Sequence, residues 1–395
     1  MSIRQHTLLA VGLALVWILG NTVLKFDPPG YGRLFSDDHD RALYAQRGSW
    51  ALNGTVPYRD VLSEYPQVAT YLMGVPYLVA RTAATDLRVY HAIVTGMMLA
   101  FLHGTIALLY RMLPTRKGTA FFLLLPGPLY FAYNRFDIVP TLLTLLSLIY
   151  LQRGRGATAA VWLGIGALAK WYPALLLPAF LSYRSTTTRR LDWKMILAFA
   201  VTCLAILTPT AAAGGITAVM LPYLLHSGRG AEWVSLPVLI QNVGAWLKVN
   251  INPNVLNYSV LACSVVPAAL SGFARIATFD GVVRWALIVV ATFTLFSRIW
   301  SPQWVLWVLP LMILNARTVS DTLCIVAYGI LTYVAFPVLF DYVGSGSLSL
   351  KIVSAMVFAI LVRTIVISVR RRDTTAVRPD SPSAEHAEGH NSSIR

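Results

Sequence analysis

Charge is scarce in this chain. Asp, Glu, Lys and Arg make up only 12% of its 395 residues, against 56% hydrophobic. So little charge excludes a soluble fold of this length, whose surface would need far more. Cysteine is nearly absent too: Cys203, Cys263 and Cys324 all fall inside apolar runs with no CxxC spacing. Neither a disulfide framework nor a thiolate metal site is supported, and the three read as small core residues. There is no Walker, HExxH or GxSxG signature. Gly164-Ile165-Gly166 and Gly344-Ser345-Gly346 lack strand-turn-helix context, so they permit close helix packing or a tight turn and do not cradle a nucleotide. The net charge of +15 is no footprint of nucleic acid either. Lys and Arg stand in short clusters beside apolar segments, where they serve as topology signals and lipid-headgroup contacts, and they form no contiguous basic face.

What is present is hydrocarbon-compatible sequence. Apolar stretches run over 7–25, 66–80, 89–110, 119–134, 137–152, 156–183, 195–213, 256–272, 282–298, 301–315, 319–340 and 349–369. Many are long enough to enter a bilayer as helices, which predicts an all-α polytopic membrane protein. The first stretch lacks a clear small-residue cleavage site and precedes further spans, so it reads as a retained helix, not a secretory leader.

Basic residues assign the sides. Arg4, Arg111, Arg116, Lys117, Arg153, Arg155, Arg184, Arg189, Arg190, Lys194, Arg275, Arg317 and Arg370 to Arg372 flank the apolar runs. The positive-inside rule places all of them in the cytoplasm. Two consequences follow. Residues 66–80, short and interrupted by Pro66, Gly74 and Pro76, become an interfacial or re-entrant piece of the outer loop. Residues 156–183 become two short passes that turn near Lys170-Trp171-Tyr172-Pro173, with Pro173 and Pro178 as breakers. The expectation is about 10–12 crossings in the plasma membrane with both termini cytoplasmic. Residues 1–372 then form one transmembrane domain, with a first outer loop over about 26–88. The tail, 373–395, is rich in Ser, Pro, Thr, Glu and His and reads as disordered and cytoplasmic.

The polar residues left over fall on the outer face: Asp37 to Asp40, Asp60, Glu64, Arg135, Asp137, Lys170, His226, Arg229, Glu232, Arg298 and Gln303. Charge near hydrocarbon is costly and persists when it has a partner or a role, so this convergence points to a site open to that side. Each motif also has a plain reading. In Asn134-Arg135-Phe136-Asp137 the Asp suits a helix N-terminus and the Arg can snorkel; alternatively the Arg meets a phosphate and the Asp a sugar hydroxyl or an acceptor. Lys170, deep in an apolar run, either snorkels or reaches an anion. Around Ser297 to Trp304 an aromatic belt explains Trp300, Trp304 and Trp307 but not Arg298 and Gln303. Asp37, His39 and Asp40 are metal-type ligands, but a short DDHD run alone does not make a site, and no metal is expected.

Taken in order, these motifs resemble the glycosyltransferase 87 family. They are Asp40 four residues before Tyr44, Gly54-x-x-Pro57-Tyr58-Arg59-Asp60, Glu64-Tyr65-Pro66, Arg135-x-Asp137, a Gly-rich helix ending in Lys170-x-Tyr172-Pro173, and Ser301-Pro302-Gln303-Trp304. The resemblance spans about residues 36 to 310, and the family's Pro-Pro after Glu-Tyr is here Pro66-Gln67. It implies a GT-C type helical bundle with a catalytic first outer loop. It also implies transfer of a sugar, mannose above others, from a polyprenyl-phosphate-mannose donor to a glycolipid or lipoglycan acceptor, giving an α-mannoside. The first-loop base maps onto Asp40 by its spacing to Tyr44, with Asp37 and Asp38 as neighbouring alternatives.

Such chemistry needs few groups. One carboxylate must take the acceptor's proton, and two or three cations must hold the departing phosphate. Asp40 is expected as the base; Tyr44, Tyr58, Asp60, Glu64, Asp137, Tyr172 and Gln303 as substrate contacts; and Arg135, Lys170 and Arg298 on the lipid phosphate. No cofactor is expected, because the sugar lipid is a substrate and a monophosphate can be neutralised by side-chain cations. The competing class is a carrier or flippase for lipid-linked sugars. It would show mid-membrane charges and an internal repeat, and neither is evident in the sequence. A non-catalytic assembly subunit is a third class, in which Asp40 would be dispensable.

Overall fold

The computed structural model describes residues 32–81, 85–231 and 234–371. The first apolar stretch, 7–25, together with Glu232 and the tail 373–395, lies outside the described residues. Among those described there is no named strand, only an isolated bridge between Pro57 and Val61.

The segment 32–81, expected as part of the first outer loop, is more ordered than its polar composition implies. It folds into α1 (Asp38–Gly48) and α2 (Gln67–Ala80). Asp37 caps α1, its carboxylate accepting the Asp40 amide at 3.3 Å, the usual remedy for unpaired donors at a helix start. α1 lies tightly on α2, since a Cβ on Gly48 would collide with the Met73 carbonyl. Gly74 and Pro76 do not interrupt α2. Its 14 residues nevertheless rise only about 21 Å, short of a full crossing.

The bundle follows: α3 (Leu87–Met112), α4 (Pro126–Asn134), α5 (Ile138–Gln152), α6 (Gly156–Ala167), α7 (Leu177–Thr188), α8 (Trp193–Ser227), α9 (Leu236–Trp246), α10 (Pro253–Phe273), α11 (Phe279–Phe296), α12 (Val305–Asn315), α13 (Val319–Tyr333) and α14 (Leu348–Arg370). Six are long and apolar enough to cross a membrane: α3, α8, α10, α11, α13 with its continuation to Tyr342, and α14. The pair α4 and α5, bent by 104° at residues 135–137, makes a seventh if counted as one span. The chain is therefore an all-α, multi-pass membrane protein. Helix α8 runs well past the apolar stretch 195–213, and α9 was not expected from hydropathy. Within α8, Gly215 takes φ 68 and ψ −169, a conformation essentially restricted to glycine, which turns the helix there.

The long helices run between two poles. At one lie Arg116 on the Ala316 carbonyl, Arg184 on Asp192 at 2.9 Å, Arg317 near Asp280 at 3.6 Å, and Arg371 on Asp321 at 2.6 Å. At the other lie the ends of α4 and α6, the start of α12 and the residues preceding α1. The segment 156–188 doubles back at Lys170: Gly156 sits against Asp192 and Arg184, so its two outer ends meet at the basic pole. This hairpin is the arrangement expected from Pro173 and Pro178.

Candidate functional site

At the pole opposite the basic residues is a cavity of about 460 Å³. It is built from segments far apart in sequence. The start of α1 supplies His39 and Asp40; the segment before α2 supplies Glu64 and Tyr65; the α4–α5 bend supplies Arg135. The α6–α7 turn gives Lys170, Trp171 and Tyr172, the end of α8 gives His226 and Arg229, and the segment before α12 gives Gln303 and Trp304. Phe131, Phe336, Phe340 and Leu350 form an apolar flank.

The strongest feature is a guanidinium held between two carboxylates. Arg135, 8% exposed, pairs through Nη2 with Asp37 and through Nη1 with Asp40. The register of this clasp is set by Asn134, whose Oδ1 accepts the Asp37 amide at 3.1 Å and whose Nδ2 donates to the Tyr130 carbonyl at 3.0 Å. Behind Asp40, the Tyr44 hydroxyl donates to its Oδ2 at 3.4 Å. Burial pushes the Tyr44 phenol well above its ordinary value, reinforced by neighbouring Tyr65, so it stays a donor.

Lys170 is the second cation. Val68 donates its amide to the Leu168 carbonyl at 2.8 Å, pinning the start of α2 to the end of α6. The Lys170 ammonium stands 3.7 Å from Asp137, beyond hydrogen-bond length, and 5.4 Å from the centre of the Tyr65 ring. Asp137 is 1% exposed; the Lys170 ammonium and the Trp307 indole face its carboxylate, neither in close hydrogen-bond geometry. It lies behind the cavity wall, as partner to Lys170. Tyr172, Trp307 and Trp304 stack in sequence at 4.6 and 4.5 Å. The indole nitrogens of Trp171, Trp300 and Trp307 are buried without an acceptor in close hydrogen-bond geometry.

Five expected contacts do not line the cavity: Tyr44 and Asp137 stand behind its wall, and three more are engaged elsewhere. Arg298 donates to the His226 and Ser227 carbonyls at 3.3 and 2.8 Å, tying the segment after α11 to the end of α8. It does not line the cavity, because the carbonyls at that helix end, which lack regular intrahelical partners, attract it. Tyr58 is buried under the loop, its hydroxyl donating to the Tyr65 carbonyl at 2.7 Å. Asp60 is paired with Arg59 at 2.7 Å on the surface. The Arg59 guanidinium, helped by the Val56 amide, holds that carboxyl at about 2. Asp40, Glu64, Arg135, Lys170, Tyr172 and Gln303 do reach the cavity.

Tyr65 and Trp171 carry no assigned contact in the sequence, and His226 stands there only among the polar residues that converge on one face. His226 Nε2 lies 3.1 Å from the Glu64 carbonyl, and its ring meets Trp171 edge-on at 4.7 Å. Glu64 itself pairs with Arg47 at 3.3 Å. Gln67 is fully buried with both amide atoms unbonded; the Glu64-Tyr65-Pro66 motif just before it was the available signal for Tyr65. Among the described residues, no three His, Cys, Asp or Glu side chains group as metal ligands.

No family model matches the chain, and no curated protein matches it. Fold and site define a helical multi-pass membrane protein whose described residues form an acid-and-cation cavity walled by aromatic rings.

Proposed function

We propose that the protein is a GT-C type membrane glycosyltransferase. It moves a hexose, mannose by the motif resemblance, from a polyprenyl-phosphate donor to a hydroxyl of a glycolipid or lipoglycan on the extracytoplasmic face of the plasma membrane. The observation that carries this reading is the meeting of Asp40 and Lys170, from distant segments, in one cavity with an apolar flank. A carboxylate, an ammonium with unused donors and a greasy groove are what an acceptor hydroxyl, a phosphate and a prenyl chain require.

In the proposed reaction Asp40 takes the acceptor hydroxyl's proton, and the acceptor oxygen bonds to the sugar's anomeric carbon. The bond from that carbon to the phosphate oxygen breaks, and its electron pair leaves with the polyprenyl phosphate. Attack from the opposite face inverts the centre, so a β-linked donor gives an α-glycoside. Lys170 receives the added phosphate charge, and the apolar flank by Phe336, Phe340 and Leu350 receives the prenyl chain. Trp304 and Trp307 offer ring edges to the sugar.

The positive-inside rule supports an outward site, since the basic residues that flank the apolar runs lie mostly at the opposite pole. The six helices long and apolar enough to cross, with α4 and α5 as a bent seventh, run between these two poles. The test is to supply the purified protein with polyprenyl-phosphate-mannose and a panel of glycolipid acceptors, comparing wild type with Asp40→Asn. Transfer that survives in the variant would remove Asp40 from its role; no transfer by the wild type with any acceptor would return the carrier reading.

A further inference from the structure

Both cations reaching the catalytic cavity from the bundle's bends already have internal carboxylate partners, and the two pairs are unlike. Lys170 stands off from Asp137 at 3.7 Å and keeps its hydrogen-bond donors for a ligand. Arg135 is clasped directly, by Asp37 on one side and Asp40 on the other. A carboxylate in contact with a guanidinium is stabilised in its charged form and is a weak base. The clasp therefore leaves the proposed base unable to do its work in the resting protein.

The two jaws of the clasp differ. Asp37 is fixed: it caps α1 through its side chain at 3.3 Å, and its own amide is bonded to Asn134 at 3.1 Å. Asp40 lines the cavity, its side chain is 20% exposed, and its other described hydrogen bond, from Tyr44, is a long 3.4 Å. Arg135 also lines the cavity; its Nε is unbonded, and the Phe336 ring lies 5.8 Å away as a platform. The Asp40 side of the clasp can open without leaving the buried guanidinium unpaired, since Asp37 remains.

We propose that Arg135 is a substrate-operated switch: a phosphate arriving on Lys170 draws the Arg135 fork from Asp40, and only then is Asp40 free to accept the acceptor's proton. This rests on the transferase reading and adds an order to it, donor before acceptor. Arginine is suited to the exchange because its planar fork matches phosphate as well as carboxylate. The cycle closes by the same contacts. After transfer Asp40 carries the proton and the leaving phosphate holds Arg135; release of the phosphate returns the guanidinium to Asp40 and expels the proton to water.

The test uses the full-length protein in detergent, with farnesyl phosphate as probe and tryptophan fluorescence as readout. Asp40 and the phosphate compete for Arg135, so Asp40→Asn should tighten farnesyl phosphate binding by about 10-fold. In an Arg135→Gln background the same substitution should change binding by less than about 2-fold. Arg135→Lys, which keeps the charge but cannot fork across two groups, is the second background should Arg135→Gln fail to fold, and it too should abolish the tightening. Equal tightening in every background would mean a simple loss of negative charge and would overturn the switch, as would no tightening at all. Phosphatidylglycerol at the same concentration is the parallel arm; the same coupling with it would overturn the assignment to the sugar-lipid phosphate. Failure of farnesyl phosphate to bind any variant would also overturn the switch, and the transfer assay run alongside shows whether the function falls with it. Coupled binding without sugar transfer would leave the switch standing and remove the transferase reading.

Discussion

The two poles of the bundle use the same residue types to opposite ends. At the basic pole Asp321 closes a capping box with Thr318, accepts the Arg317 and Thr318 amides at 2.9 and 3.1 Å, and pairs with Arg371 at 2.6 Å and Arg363 at 3.4 Å. Each of its oxygens has partners, and α12, α13 and α14 are held together by it. At the cavity pole Asp137 is more deeply buried, yet its oxygens accept no close hydrogen bond, and Arg135 Nε and three indole nitrogens nearby are also unbonded. Buried polar groups are normally satisfied, and those left open mark where a ligand completes the structure. Ion pairs at one end thus fasten helices, while ion pairs at the other are poised for exchange.

The sharpest way to break this contrast is at Asp40. Asp40→Asn should lower the transfer rate by about 10³-fold with little change in melting temperature, the range expected for loss of a general base; a variant retaining a tenth of the rate in the mannosyl-transfer assay would dissolve the distinction. Lys170→Met should weaken donor binding by about 10–100-fold, as for a charge-assisted phosphate contact. It should also destabilise the protein by stranding Asp137. Adding Asp137→Asn should then recover the melting temperature but not the donor KM, which separates the anion-binding role from the pairing role.

At the other pole the order reverses. Asp321→Asn should cost about 2–4 kcal/mol of stability, read as a lowered melting temperature, and leave KM unchanged. The smallest effect belongs to Asp60. Its carboxyl is held at about 2 by Arg59, below its unfolded value, so what it adds is present above that unfolded value and is lost only as the pH falls toward 2. Asp60→Asn should therefore leave the rate and its pH profile between pH 5 and 9 unaltered, and a changed profile would bring Asp60 back to the site.

Legibility in the sequence followed range of interaction. The apolar stretches 89–110, 195–213, 256–272, 282–298, 319–340 and 349–369 were visible as membrane-length helices because hydrophobicity is written residue by residue. The reversal at Lys170 was visible because Pro173 and Pro178 act locally. Helix α1 was hidden because its residues are polar, and only its Asp37 cap signals a start. The far end of α8 was hidden by Gly214-Gly215, which interrupt the apolar run, and α9 by its short length after a polar stretch. At the site, Asp40, Arg135 and Lys170 were recognisable as charges without reason to be near hydrocarbon. That Arg298 would turn to helix-end carbonyls and Tyr58 to its own loop was not, since both depend on neighbours brought by folding.

Composition and local pattern alone determined that this chain is a helical membrane protein, that its cations gather mostly at one set of loops, and which few ionisable residues stand apart from them. Only the tertiary structure decided which of those residues meet, that Arg135 takes two aspartates while Lys170 keeps its hydrogen-bond donors, and that Asp137 lies behind the wall. The reason is physical: burial of a helix is favoured by its own side chains one at a time, whereas the partner of a charge is chosen among groups a hundred residues apart by geometry and the cost of leaving it unpaired.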